Sequence, residues 1–185
     1  VARSRRWSPD MNRKWLEGLK NLCRAECSYD GTGKTVSIFL EPEAIQDAAK
    51  RLYTHEFFLE DITAVDGSDG LLVLYHFDHF IEPGRVALHI IVPHGKGVIP
   101  SISNIYKGAE WHERETSDFF GIVFSGNPDP SPLLLPEEMD SHPLLKAEES
   151  KIPLRDFMVP GDIVEQDPAF TYFVEQKYPD ADKTK

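Results

Sequence analysis

Apolar positions in the first two thirds of the chain change period several times, and each change marks an element. Behind Ser8-Pro9, an N-cap followed by an N1 proline, Met11, Trp15, Leu16, Leu19, Leu22 and Cys23 recur at helical spacing and predict a helix over about 9–27. Tyr29 to Gly33 is turn material, and residues 35–40 alternate with enough β-branched content for a strand. Pro42 then opens a second helix to about Tyr53, whose stripe is Ala44, Ile45, Ala48, Ala49 and Leu52. Strands are expected over 57–65, 71–80 and 85–92, the last two paired as an antiparallel hairpin across Glu82-Pro83-Gly84. A short extended stretch over 99–106 leads into a third helix over 109–120, ended by Gly121. Helices segregated around such a meander predict an α+β (α/β) fold: a small, mostly antiparallel sheet with flanking helices.

From Gly126 onward the character changes. Nine of the 14 prolines fall in 126–185, and this stretch holds 13 acidic residues against 6 basic ones. It nevertheless keeps Leu133, Leu134, Leu135, Leu144, Leu145, Phe157, Phe170, Tyr172 and Phe173, too many apolar groups for a solvated linker. The expected organisation is therefore a core domain over 1–125 and an extended, proline-stiffened tail over 126–185. Composition leaves two placements open for that tail, wrapping a partner or packing back on its own domain.

The 185 residues carry a formal charge of −11, which opposes a broad hold on nucleic acid because phosphate binding needs a basic footprint. No apolar run approaches the roughly 18 residues of a membrane-spanning helix, so direct membrane insertion is not expected. Cys23 and Cys27 alone make no disulfide framework, which suggests a reducing compartment. Arg3, Arg5 and Arg6 are followed by no apolar segment, so a secretory signal is not expected, and a starting valine suggests a processed or missing N-terminus.

Candidate chemistry is thin. Gly31-Thr32-Gly33-Lys34-Thr35 looks like part of a phosphate loop, but Ser28 stands where its first glycine belongs, and the predicted order of helix and strand is reversed. His76, His79, His89 and His94 suggest a metal cluster or a small metal-dependent hydrolase, yet odd spacing on strands sends them to opposite faces, and satisfied or exposed histidines are expected instead. Cys23 and Cys27, one helical turn apart, lack a second pair of soft ligands. On the third helix Glu113 and Glu115 point too far apart for one acid and base pair, whereas Arg114 and Asp118, at i and i+4, share a face. No catalytic residue, cofactor site or metal site is expected in this chain.

One stretch is specific. Trp111-x-Glu113-Arg114-Glu115-x-x-Asp118-x-x-Gly121-Ile122-x-Phe124-x-Gly126 resembles, at every fixed position, the signature of the 30 kDa subunit of respiratory complex I. Asn127-Pro128-Asp129, Leu133-Leu134-Leu135-Pro136-Glu137 and His142-Pro143-Leu144 follow in the family's order, and Asp61 to Asp66 looks like its second-strand ending. The resemblance covers about 34–146. It implies a non-catalytic scaffold subunit in the peripheral arm of an NADH:quinone oxidoreductase, on the cytoplasmic side of an energy-transducing membrane. Its long C-terminal extension would embrace the forty-nine-kilodalton-type neighbour, which is similar to a hydrogenase large subunit, near the quinone-reducing end. Iron–sulfur clusters would be held by neighbouring subunits and none here. Trp111, Glu113, Arg114, Glu115, Asp118, Gly121, Ile122, Phe124, Gly126, Pro128, Asp129, His142 and Pro143 would then be structural and interface positions. Asp129-Pro130-Ser131-Pro132-Leu133-Leu134 and Leu145-Lys146-Ala147 depart from the family pattern by the loss of three arginines, which lysine or leucine does not replace in bidentate contacts. Related subunits of membrane-bound energy-converting [NiFe] hydrogenases and of ferredoxin- or deazaflavin-fed complexes therefore stay open, as does a free-standing binding module.

Overall fold

The computed structural model describes residues 13–27, 29–81, 84–157 and 163–166. Its centre is a six-stranded sheet in the order β3-β4-β5-β2-β1-β8, from β1 (Cys23–Cys27), β2 (Val36–Leu40), β3 (Phe57–Gly67), β4 (Gly70–His79), β5 (Val86–Val92) and β8 (Ile163–Gln166). All neighbours are antiparallel except β2 and β5, which run parallel in the middle with Ile38 opposite Leu88. The fold is the mixed α and β, mostly antiparallel architecture that the pattern predicts. Both faces of this central pair are covered, which is why every residue of β2 and all of β5 but Ile91 are buried.

Helix α2 (Ile45–Thr54) covers one face with the expected stripe: Ile45, Ala48, Ala49 and Leu52 are fully buried against Ile38, Leu40, Tyr75, Phe77, Leu88 and Ile90. The opposite face holds a smaller cluster of Cys23, Ala25, Phe39, Leu72 and Leu154. A second, two-stranded parallel sheet, β6 (Val98–Pro100) with β7 (Val123–Ser125), flanks helix α3 (Ala109–Phe120). The free edge of β3 is closed by side chains rather than by another strand. The Thr116 hydroxyl, shared between the His112 carbonyl on its own helix (2.8 Å) and the Ile62 carbonyl (3.2 Å), and the Tyr106 hydroxyl, donating to the Phe57 carbonyl at 3.0 Å, cover part of this edge and blunt it against pairing.

Three expectations are corrected here. The long first helix is absent from its described part, since residues before 13 lie outside the described residues. Arg13–Leu16 forms one 3-10 turn, Gly18 takes a left-handed conformation (φ 69°), and Cys23–Cys27 is a strand. The period-2 alternation of Cys23, Ala25 and Cys27 with Arg24 and Glu26 wins over the helical spacing before it, so the cysteines sit two pleats apart on a strand, not one helical turn apart. The glycine segment is a single helical turn, α1 (Tyr29–Thr32), closed by the Gly33 amide on the Tyr29 carbonyl at 2.8 Å. It joins β1 to β2, so it follows a strand and not a helix. The extended reading of 99–106 shrinks to β6, because 102–106 folds into tight turns with the Ile105 and Tyr106 amides both on the Ile102 carbonyl.

The four histidines meet no common ligand. His76 bonds Asp61 (2.6 Å), His94 bonds Asp66 (2.7 Å) and His79 lies edge-on to Phe57. His89 is neither satisfied nor exposed: it is buried, stacked on Phe39 at 4.6 Å, and both ring nitrogens lack a hydrogen-bond partner. Burial above all, then the charges of Lys34 and His76, pushes its pKa well below the ordinary imidazole value. The folded chain thus keeps His89 neutral while the unfolded chain takes up a proton. Stability is expected to fall as pH drops from about 6.5, by up to about 1.4 kcal/mol per pH unit until the folded-state value is reached. His89→Leu should remove that slope and, by deleting two orphaned polar atoms, raise stability by about 1 kcal/mol or more. Urea unfolding of both proteins at pH 5 and pH 8 checks it; parallel pH slopes would refute it.

Candidate functional site at helix α3

Helix α3 buries Ala109, Glu113, Thr116 and Phe120 at steps of four, three and four, so the acidic Glu113 takes a core-facing position. Its carboxylate is fully enclosed and meets three donors: the Ile102 amide (2.8 Å), the Ser101 hydroxyl (2.6 Å) and the Asn127 side-chain amide (2.8 Å). Ser101 is itself fixed by Ser103 at 2.8 Å, and its carbonyl accepts from Gln46 on α2. Burial raises the Glu113 pKa, with the three hydrogen bonds opposing. A carboxylate with no open side has no route to a substrate. What it does is tie β6, α3 and the loop after β7 to one point.

Arg114, one residue on, turns outward and collects the next loop. Its guanidinium donates to the Ser131 carbonyl (2.9 Å), the Ser131 hydroxyl (3.1 Å) and the Pro132 carbonyl (3.1 Å), and pairs with Asp129 at 3.1 Å. Asp129 accepts from the Ser131 hydroxyl and amide, which with Arg114 holds its pKa below the usual carboxylate range. The i to i+4 partnership expected of Arg114 and Asp118 is replaced by two separate duties. Asp118 points one carboxylate oxygen at three successive backbone amides, those of Leu133, Leu134 and Leu135, at 2.9, 2.8 and 3.2 Å. Such a concavity of amides is an anion site, here filled by the chain's own side chain.

The end of α3 explains the next motif positions. Gly121 adopts φ 71°, and a Cβ there would lie 2.6 Å from the His142 ring. The ring occupies that space because its Nδ1 bonds the Asp118 carbonyl at 2.8 Å, which makes Nδ1 the protonated nitrogen. Leu144 donates its amide to the Phe119 carbonyl at 3.2 Å. Carbonyls left open at the helix C-terminus are thus taken by the tail. Ile122 and Phe124 are buried, Gly126 takes φ 88°, and Pro128 and Pro143 are exposed. Trp111 is 61% exposed with the Arg114 guanidinium 6.0 Å from its ring centre. Glu115, partly exposed, makes no hydrogen bond or ion pair among the described residues.

Further along, the β3–β4 turn grips the tail again. The enclosed Asp66 carboxylate accepts from the Lys146 amide (2.8 Å) and His94 (2.7 Å), Asp69 accepts from the Leu154 amide (2.9 Å), and the Ser68 amide reaches the Ile152 carbonyl (2.9 Å). Leu154 is fully buried against Gly67, where a Cβ would meet its side chain at 2.5 Å.

The profile of one family, described as "Respiratory-chain NADH dehydrogenase, 30 Kd subunit", matches residues 38–152, from within the central strand β2 to the tail's contact at Ile152. The chain belongs to this 30 kDa subunit family. Among its relatives, an NADH-quinone oxidoreductase subunit of Roseiflexus sp. (strain RS-1) is 36% identical over 118 residues, 60% of this chain and 68% of that one. An NAD(P)H-quinone oxidoreductase subunit from the organellar chromatophore of Paulinella chromatophora is 31% identical over 163 residues, 76% of this chain and 83% of that one. A chain of a membrane-bound sulfane sulfur reductase, an archaeal respiratory membrane complex, shares the fold with a TM-score of 0.57 at 22% identity, covering 94% of this chain and 92% of its own. A trypsin-resistant fragment of Nqo5 does so with a TM-score of 0.50 at 24% identity, over 57% of this chain and 89% of the fragment.

The family signature was legible as a motif, but several of its partners were not. Ser101, Asn127 and the Leu133 to Leu135 amides are defined only by the closure of the loop around α3. One signal was available: Glu113 falls in register with Ala109, Thr116 and Phe120, which marks it as inward-facing. No group of three or more metal-ligating side chains is found among the described residues. No helix among them is long and apolar enough to cross a membrane.

Proposed function

We propose that this chain is a non-catalytic scaffold subunit in the peripheral arm of a complex I-like NADH:quinone oxidoreductase. It docks on the large subunit of hydrogenase large-subunit type near the quinone-reducing site, on the cytoplasmic side of an energy-transducing membrane. Iron–sulfur clusters belong to neighbouring subunits. The observation that carries this reading is the use made of the motif's ionisable groups: Glu113, Arg114 and Asp118 are spent on holding the chain's own loops, while Trp111 and much of the tail's apolar surface stay exposed. Family membership and the names of the relatives support it.

Purification of the assembly from source membranes through a tag on this chain tests it. A large companion similar to a hydrogenase large subunit, iron in several equivalents per chain and NADH-driven quinone reduction are expected. Recovery of the chain alone would overturn the proposal. The lost arginines of the tail favour one second reading, the equivalent subunit of an energy-converting [NiFe] hydrogenase or ferredoxin-fed complex, for which nickel in the large companion and no response to NADH are the expected results.

A further inference from the structure

Basic residues are unevenly placed along the chain. Residues 1–14 hold Arg3, Arg5, Arg6, Arg13 and Lys14 against the single acid Asp10, although the whole chain carries a formal charge of −11. Arg3, Arg5, Arg6 and Trp7 stand well ahead of the family match at 38–152, and the scaffold reading gives them no task.

The turn Arg13–Leu16 leads the chain past helix α2. There the Arg51 guanidinium donates to the Glu17 carbonyl and to the Asp47 carboxylate, each at 2.7 Å, which sets Glu17 about one helical turn from Asp47. Asp47 forms one wall of a groove of about 550 Å³ between the loop ahead of β1 and the start of α2, a volume in the range of ligand and side-chain pockets. Half-buried Leu22 and Ala44 give it apolar surface, and Glu41 and Glu43 join Asp47 against the single base Lys20 among the described lining residues. The groove is thus apolar within and acidic at its mouth.

We propose that residues 3–7 fold back into this groove, with Trp7 on Leu22 and Ala44, and Arg5 and Arg6 against Glu41 and Glu43. The basic arm then clasps the head of α2 to the segment that enters β1. Reach permits it, because the six residues from Trp7 to Arg13 span up to about 20 Å, while the 10 residues of α2 rise about 15 Å. Charge favours it, since an acidic mouth attracts this arm and repels most of the remaining chain. Trp and Arg are also the side chains best suited to anchor in a small pocket. A single exposed ion pair is weak, but the tether holds the arm at an effective concentration on the order of millimolar, an advantage that a basic segment of another protein lacks.

The test uses the full chain. Zero-length carbodiimide coupling of the Arg6→Lys variant, followed by peptide mapping of the monomer, should join residue 6 to Glu41 or Glu43. Trypsin cleavage after Arg5 and Arg6 should run about fivefold faster in Glu41→Gln with Glu43→Gln than in the wild type, the scale set by two exposed ion pairs. Glu137→Gln with Glu138→Gln makes the same change of charge at exposed sites on the tail and should leave the rate unchanged. Thermal unfolding shows that each variant is folded. Links from residue 6 to carboxylates elsewhere, or equal cleavage in all three proteins, would overturn the clasp. So would a link to Glu41 or Glu43 found only between two copies, which makes the occupant a second chain. Loss of a companion subunit by the groove variant with cleavage unchanged would assign the groove to a partner's basic segment instead. Each of these outcomes leaves the scaffold reading untouched.

Discussion

Glu113→Ala should lower stability by about 3 kcal/mol or more, a fall in melting temperature of about 10 °C for a chain of this size. The substitution opens a cavity and, more costly, strands three donors that now converge on the carboxylate: the Ile102 amide, the Ser101 hydroxyl and the Asn127 amide. Glu113→Gln should fall between the two, because its single oxygen cannot serve all three and its own N–H groups then face donors. The pH dependence separates a structural carboxyl from any other. Burial holds the Glu113 pKa above its ordinary value, so the folded state retains a proton that the unfolded chain has already released. Wild-type stability from this group is therefore present at low pH and lost as pH rises through the carboxyl range to the folded-state value, a slope the glutamine variant lacks. Differential scanning calorimetry from pH 4 to pH 8 reads both effects; a Glu113→Ala melting point within about 2 °C of wild type, in the range of an ordinary surface change of about 0.5 kcal/mol, would refute the assignment.

The second large effect is local. Leu154→Ala deletes the one side chain buried to 0% exposure among the described tail residues, at a cost of about 3 kcal/mol, which multiplies the detached population of that segment more than about a hundredfold. The expected signature is faster proteolysis around 146–157 with the core transition little moved, because the sheet's principal core on the α2 side does not include Leu154. Limited proteolysis with mass mapping of the cuts decides it. A uniform drop in the core melting point with no new cuts would mean that tail and core unfold as one unit.

The sequence revealed elements where period and context agreed. Helix α3 and its stop at Gly121 were readable to the residue because a capping glycine follows a regular stripe, and the β4–β5 hairpin because two apolar runs flank a Pro-Gly turn. It misled at 13–27, where helical spacing up to Leu22 concealed the alternation at Cys23, Ala25 and Cys27 that sets β1. At the site, the motif supplied the positions but not the pairings. Arg114 and Asp118 satisfy the helical rule for an ion pair, yet the loop over 127–135 closes on both and offers each a better partner: fixed amides for the carboxylate, carbonyls and Asp129 for the guanidinium. Contacts of that kind depend on loop closure across the sequence and leave no periodic trace.

The outermost pairing of the large sheet joins the chain's two halves in time as well as in space. Ala25 on β1 lies opposite Gln166 on β8, a far longer separation than any other register in the sheet. During synthesis β1 can settle on β2 as soon as Leu40 has emerged, but its other edge stays bare until Ile163–Gln166 are out. Closing so long a loop adds contact order and slows the final step. For that interval the nascent subunit carries an open strand edge, the feature most prone to pairing with the wrong chain. Truncation before Ile163 should make that interval permanent.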